Sequence, residues 1–225
     1  MKISLSYRLL SLVFPFFFIF PQCLTTHTKT VSSVHRLGNE TDHAALLGIR
    51  SQLVDRPDGG VLRSWNNSLH HCYWDGVTCG LKHNRVIGLD ISSRGLVGTI
   101  SPFIGNMSFL TKVALYNNSL VGQIPPEFGR LFRLRLLHLG NNTLVGEIPA
   151  NLSGCTNLQQ LTVGRNKLMG KLPLELRALS KLYFLVVHYN SFTGPLFDII
   201  SNFTSLQVIS AAGNAFTGSI PGCIG

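Results

Sequence analysis

The chain has 225 residues, 45% of them hydrophobic and 13% charged, with a formal net charge of +9. That apolar share suffices for a continuous core in one elongated domain, and so low a charged fraction argues against a cytosolic protein. The excess of cations invites nucleic acid as a partner, but no basic helix or interleaved aromatic stripe accompanies the lysines, so that class is set aside.

In chain order, Lys2 and Arg8 precede an apolar stretch from Leu9 to Phe20. The stretch is too short for a spanning helix and has the flanks of a secretory leader, so residues 1–25 read as a signal peptide ahead of a membrane anchor. Cleavage near Thr25 removes Lys2 and Arg8 and lowers the charge from +9 to +7. Residues 26–38, rich in Thr, Ser and Val, are expected to form a disordered linker. Asn39-Glu40-Thr41-Asp42 then offers a helix start, with Leu46, Ile49 and Leu53 at i, i+3 and i+7 on one face. A short amphipathic helix there would cover the apolar edge of whatever follows.

The cysteines come next. Cys72 and Cys79 stand seven apart with Trp74 between them, and in a secreted chain such a pair reads as a disulfide closing an amino-terminal cap over residues 39–84. The competing reading is a zinc site completed by His70, His71 and His83, but the spacing matches no zinc framework, so no metal or other cofactor is expected. Cys155 and Cys223 lie almost three repeat lengths apart, roughly 14 Å at about 4.8 Å per stacked strand, which a disulfide does not span. They read as buried thiols, or for Cys223 as the partner of something beyond Gly225.

From about Arg85 the chain repeats. Asn118, Asn142, Asn166, Asn190 and Asn214 are spaced 24 residues apart, in the frame LxxLxxLxLxxNxLxGxIP. Leu110, Leu134, Leu158, Leu182 and Leu206 open successive units, and a degenerate first unit starts at Val86, giving six units over residues 85–225 with the last one truncated. Apolar residues alternate around Val113 and Leu115, so each unit contributes one short strand to a parallel sheet. An Asn turned inward satisfies backbone groups that the following bend leaves unpaired, which makes the asparagine column structural. Gly122, Gly146, Gly170 and Gly194 share a turn position that favours positive φ.

The repeat with its LxGxIP segment resembles the plant-specific class of leucine-rich repeats. Leu62-Arg63-Ser64-Trp65-Asn66 and Cys72-Tyr73-Trp74-Asp75-Gly76-Val77-Thr78-Cys79 look like that class's amino-terminal cap, SWN followed by CxWxGVxC. Arg85-Val86 and Gly98-Thr99-Ile100-Ser101-Pro102-Phe103-Ile104-Gly105-Asn106 are most similar to the immune receptor kinases that include the bacterial elongation-factor receptor. The resemblance implies an α/β solenoid with a parallel concave sheet and a helical, disulfide-closed cap. It also implies an extracellular segment that recognises a peptide or microbial pattern, in a receptor-like serine/threonine kinase whose further repeats, membrane span and kinase would follow Gly225. The alternative is a self-contained secreted binding protein such as a polygalacturonase inhibitor.

Neither reading makes this chain an enzyme, and no GxSxG or HExxH motif is present. Ligand contact is expected on the concave rows at Lys112, Tyr116, His138, Gln160, Phe184, Val186 and His188. The unit opening at Leu182 adds an outward aromatic patch with Tyr183 and Tyr189. Expected partners are a peptide or protein ligand, a co-receptor kinase and, given the basic surface, an acidic wall polysaccharide. Seven N-x-S/T sequons, at Asn39, Asn66, Asn106, Asn117, Asn141, Asn151 and Asn202, fit export through the secretory pathway.

Overall fold

The computed structural model describes residues 31–55, 60–201 and 203–219. The expected signal peptide, Cys223 and Asn202 lie outside these residues.

A helix runs from Val31 to Arg50. It starts before the expected signal at Asn39, so residues 31–38 are helical backbone where a disordered linker was expected. It also ends before Leu53, which pairs in a short antiparallel strand with Gly98. Ala45, Leu46 and Ile49 carry the expected apolar face into the core.

Asp42 sits mid-helix, where it starts nothing. Its fully buried carboxylate accepts from Arg85 Nε at 2.8 Å, from Arg85 Nη2 at 2.9 Å and from the Val86 N–H at 2.8 Å. A buried carboxylate is tolerated only when paired and hydrogen-bonded. Here that requirement fastens the helix to the first repeat strand, Val86–Asp90.

Behind the helix, Trp65 and Trp74 stack with ring centroids 5.6 Å apart. The Trp65 ring N–H donates to Asp75 O, and that of Trp74 to Asn66 O and Leu69 O. Gly76 has φ 80°, and a Cβ there would lie 2.5 Å from the Asp90 carbonyl oxygen, so the close approach demands glycine. Cys72 and Cys79 are bonded, with Cα atoms 5.5 Å apart. The strand Val77–Cys79 then joins the first repeat strand antiparallel. The cap also buries His71 with its Nε2 unpartnered, its ring 4.3 Å from that of His70 and 5.9 Å from that of His43. Burial, reinforced by His70, pushes the His71 imidazole down to about 4.

The concave sheet contains Val77–Cys79, Val86–Asp90, Lys112–Ala114, Leu136–His138, Gln160–Thr162, Phe184–Val186 and Val208–Ser210, in chain order across the sheet. All pairs after the first are parallel and in register with the repeat, Val113 beside Leu137 and Leu161 beside Leu185. These central side chains point into the core and are almost wholly buried. On the other side, single 3-10 turns such as Pro126–Arg130 and Leu174–Ala178 close the units, and a short α-helix, Leu196–Ile200, takes that place in the unit opening at Leu182.

Between the two faces the LxGxIP segments pair as well. Val97–Thr99 and Ser119–Val121 join Leu53–Val54, while Val145–Gly146, Lys167–Lys171, Ser191–Pro195 and Ala215–Thr217 form a further sheet. These strands were not anticipated, because two to five residues carry too little alternation to register as strands. They form because the neighbouring unit supplies partners, as when the Val145 N–H donates to Gly122 O.

The asparagine column does what its position implied. Asn142 Nδ2 donates to Leu115 O and Leu139 O, both at 3.0 Å, and its Oδ1 accepts from the Leu120 N–H at 3.0 Å. The same pattern holds at Asn166, whose partners are Leu139 O, Val163 O and the Leu144 N–H. Each side chain therefore bonds its own turn and the unit before it.

A second column lies one residue earlier. Ser93, Asn117, Asn141, Arg165, Tyr189 and Gly213 all adopt positive φ, between 51° and 67°. Asn tolerates this region well and Tyr poorly. Asn141 Nδ2 donates to Asn117 Oδ1 at 2.6 Å, and Asn117 Nδ2 to Ser93 Oγ at 2.9 Å. At the last described strand of the concave sheet Ile209 is 37% exposed, whereas Leu185, its neighbour in register, is fully covered.

Three outcomes follow. Asn166→Leu strands the Leu144 N–H and takes one of two asparagine donors from each of the Leu139 and Val163 carbonyls, so it should cost about 2 kcal/mol, while Lys167→Ala, on an exposed side chain, should stay within about 0.5 kcal/mol; urea midpoints compare them. Replacing both Cys72 and Cys79 by Ser should cost on the order of 2 kcal/mol, read the same way.

The third outcome concerns acid. The His71 pKa lies near 4 when folded and 6.5 when unfolded, so its contribution is full above pH 6.5 and is lost as pH falls towards 4. Melting temperatures should drop across that window by an amount reflecting up to about 3 kcal/mol, and His71→Phe should flatten the slope.

Candidate functional site

The strand register builds the site. One outward row runs Gly88, Lys112, Leu136, Gln160, Phe184 and Val208, and the next runs Asp90, Ala114, His138, Thr162, Val186 and Ser210. All seven expected contact residues therefore lie on one sheet or just past the ends of its strands.

Their environments differ from the expectation in two respects. Val186 is buried, since a short β-branched side chain flanked in register by Thr162 and Ser210 is covered by them. It supports the face without presenting a contact. Lys112 is exposed, but its Nζ lies 2.8 Å from Asp90 Oδ2. Burial pushes the Asp90 carboxyl up, and hydrogen bonds from Lys112 and Ser92 outweigh it, holding the pKa below the usual value. The pair presents a dipole to a ligand, and its lysine is not a free cation. Asp90 was the partner missed from sequence, because it sits 22 residues away at an adjacent position of the repeat.

Elsewhere the face is aromatic and polar. The Tyr116 and His138 rings stack with centroids 4.4 Å apart and 15° between their planes. Burial lowers the His138 pKa against a weaker opposing pull from Asp90, which favours the neutral ring. Gln160 Nε2 donates to the Tyr183 hydroxyl. His188 Nδ1 pairs with Ser210 Oγ at 2.9 Å, and the Arg165 guanidinium lies 4.8 Å from the Tyr189 ring centre at the rim. Phe184 is half-buried and Tyr189 is exposed, so the patch opening at Leu182 is narrower than its sequence suggested.

Between Tyr116 and His188 the corresponding positions are Gly140 and Gly164, both buried, and a Cβ on Gly164 would lie 2.9 Å from the His188 ring. The missing side chains let neighbouring rings lie over these two units: His188 over Gly164, and His138, stacked on Tyr116, within 3.5 Å of where a Gly140 Cβ would stand.

Other candidate groups are accounted for by structure. His70, His71 and Cys72 are close enough to share a metal ion, but the Cys72 sulfur is committed to the disulfide. Cys155 is buried, its thiol donating to Phe128 O at 3.0 Å, and burial pushes it up to about 12, so it stays protonated. Among the described sequons, Asn106, Asn117, Asn141 and Asn151 are exposed. The side-chain amides of Asn39, Asn66, Asn117 and Asn141 bond to His70, the Arg63 carbonyl, Ser93 and Asn117 respectively. Among the described residues no helix is long and apolar enough to cross a membrane.

Comparison with known proteins places these features. Residues 39–80 match the leucine rich repeat N-terminal domain family, and residues 109–131 and 133–155 the leucine rich repeat family. The LRR receptor-like serine/threonine-protein kinase EFR of Arabidopsis thaliana is 49% identical over 84 residues, which span 37% of this chain and 8% of that kinase. The solved LRR ectodomain of the receptor kinase SOBIR1 from Arabidopsis thaliana is 33% identical, with a TM-score of 0.67, and the match covers 80% of this chain and 97% of that one. The Arabidopsis receptor kinase HAESA, solved in complex with the peptide hormone IDA and the co-receptor SERK1, is 31% identical with a TM-score of 0.72, covering 79% of this chain and 30% of that one. With the solved ectodomain of SOBIR1 covered almost end to end at 33% identity, the chain belongs to the leucine-rich repeat ectodomains of plant receptor-like kinases.

Proposed function

We propose that the chain is the extracellular ligand-recognition segment of a leucine-rich repeat receptor-like serine/threonine kinase, and that its concave face binds an extended peptide or microbial pattern. The observation that carries this reading is the in-register set of side chains on the concave sheet, with the Tyr116–His138 stack towards one end and Phe184 and His188 towards the other. Aromatic anchors spread along a sheet face suit an extended chain crossing successive strands. The complex of HAESA with a peptide hormone and a co-receptor supports both the ligand class and a co-receptor kinase as second partner. Recognition is a binding event, and no step of chemistry falls to these residues. The working location is the outer face of the plasma membrane, reached through the secretory pathway.

The test begins with peptides selected from a displayed random library against the secreted chain. Phe184→Ala and His138→Ala should each weaken the selected peptides by roughly 1–3 kcal/mol, while Glu175→Ala on the opposite, exposed turn should leave affinity unchanged. Peptides that bind Phe184→Ala, His138→Ala and the parent equally would refute the concave-face reading.

A further inference from the structure

One flank of the solenoid carries a charge that the concave face does not use. It lies where each chain segment leaves the 3-10 turn and enters the concave strand, at residues 106–111, 130–135, 154–159 and 178–183. These four stretches contain no Asp or Glu, but they contain Arg130, Arg133, Arg135 and Lys181. In each stretch the buried leucine, such as Leu134 or Leu182, fixes the residues on either side outward. Arg133 and Arg135 therefore leave the flank together, and Lys181 does so two units on, about 10 Å away.

The arginine at the centre is held in place. The Arg133 guanidinium carbon lies 4.4 Å from the Phe109 ring centre and 5.2 Å from that of Phe132, while Arg85 covers Phe109 at 4.5 Å. Arg85 spends its donors on Asp42. The ion pairs among the described residues are Arg85–Asp42 and Lys112–Asp90, so no carboxylate neutralises Arg133 or Arg135. Both side chains are exposed, and among the described residues neither guanidinium has a hydrogen-bond acceptor. A guanidinium clamped on aromatic faces with its fork in water is preorganised for bidentate binding of a carboxylate.

The backbone narrows the partner. The Arg135 N–H donates to Thr111 O, that of Gln159 to Arg135 O and that of Tyr183 to Gln159 O. The backbone of Arg135, Gln159 and Tyr183 is thus committed to its neighbours, and recognition along that row falls to side chains. In the remaining lining the Asn157 amide is taken up, donating to Phe132 O at 2.7 Å and accepting from Lys181 Nζ at 2.6 Å, which leaves Gln159 and the donor of the Tyr183 hydroxyl for a hydroxyl-rich ligand.

We propose that this flank, centred on Arg133 and Arg135, binds a carboxylate-bearing polysaccharide, a uronate chain of the extracellular matrix, independently of the concave face. The probe is an oligogalacturonate of about ten residues, titrated calorimetrically into the full secreted chain at low and moderate salt. Arg133→Gln and Arg135→Gln should each weaken binding about tenfold. Phe184→Ala and the remote Lys167→Gln should leave it nearly unchanged, and thermal melts should show all four variants folded. Four outcomes would overturn the proposal: no binding below about 1 mM, an equal loss for Lys167→Gln, an equal affinity for a poly-glutamate peptide, or an equal loss for Phe184→Ala. The first three would reduce the flank to a solvated basic surface, and the fourth would return the anion to the concave face.

Discussion

The fold depends on one amide group used once per turn. Where the chain leaves a concave strand it bends, and the bend leaves two carbonyls and an N–H with no strand partner. The side chains of Asn118, Asn142, Asn166, Asn190 and Asn214 satisfy these groups, and the carbonyl oxygens of Leu115, Leu139, Val163 and Val187 each accept from two successive asparagines. Buried polar groups must be paired, so every unit is forced to the same length and the same register. From that constraint come the parallel strands, the stacked leucines and the alignment of side chains into rows.

Rows are what make a repeat array into a surface. The concave rows gather Tyr116, His138, Phe184 and His188 around two glycine positions, although those residues are scattered over more than seventy positions of sequence. The flank rows gather Arg133, Arg135 and Lys181 by the same means. The two surfaces differ in kind: on the concave face Lys112 is paired with Asp90 and burial disfavours charge on His138, whereas the flank holds unpaired guanidinium on aromatic supports.

A linear array has two ends, and its first is sealed by chemistry of a different kind. The cap helix brings Ala45, Leu46 and Ile49 onto the first unit, the Trp65–Trp74 stack fills the space behind, and the buried Asp42 carboxylate ties helix to strand through Arg85 and the Val86 amide. The contrast between Ile209 and Leu185 shows how much apolar surface each neighbouring unit covers.

Much of this was legible in the residues alone. The 24-residue period, the inward asparagines, the parallel concave sheet and the cap with its Cys72–Cys79 bond follow from spacing and residue type, because a periodic fold writes its geometry into a periodic sequence. Other features depended on partners distant in the chain, and only the tertiary structure decided them. Asp42 reads as a helix start and becomes a buried anchor because Arg85, more than forty residues on, faces it. Lys112 reads as a free cation and is paired because the sheet sets Asp90 beside it, while Val186 reads as a contact and is covered by the strands on either side. The LxGxIP strands have too few residues to declare themselves and exist through bonds to the next unit. Local pattern determines which way a side chain points, but its charge state and exposure are set by neighbours that only stacking brings within a few ångströms.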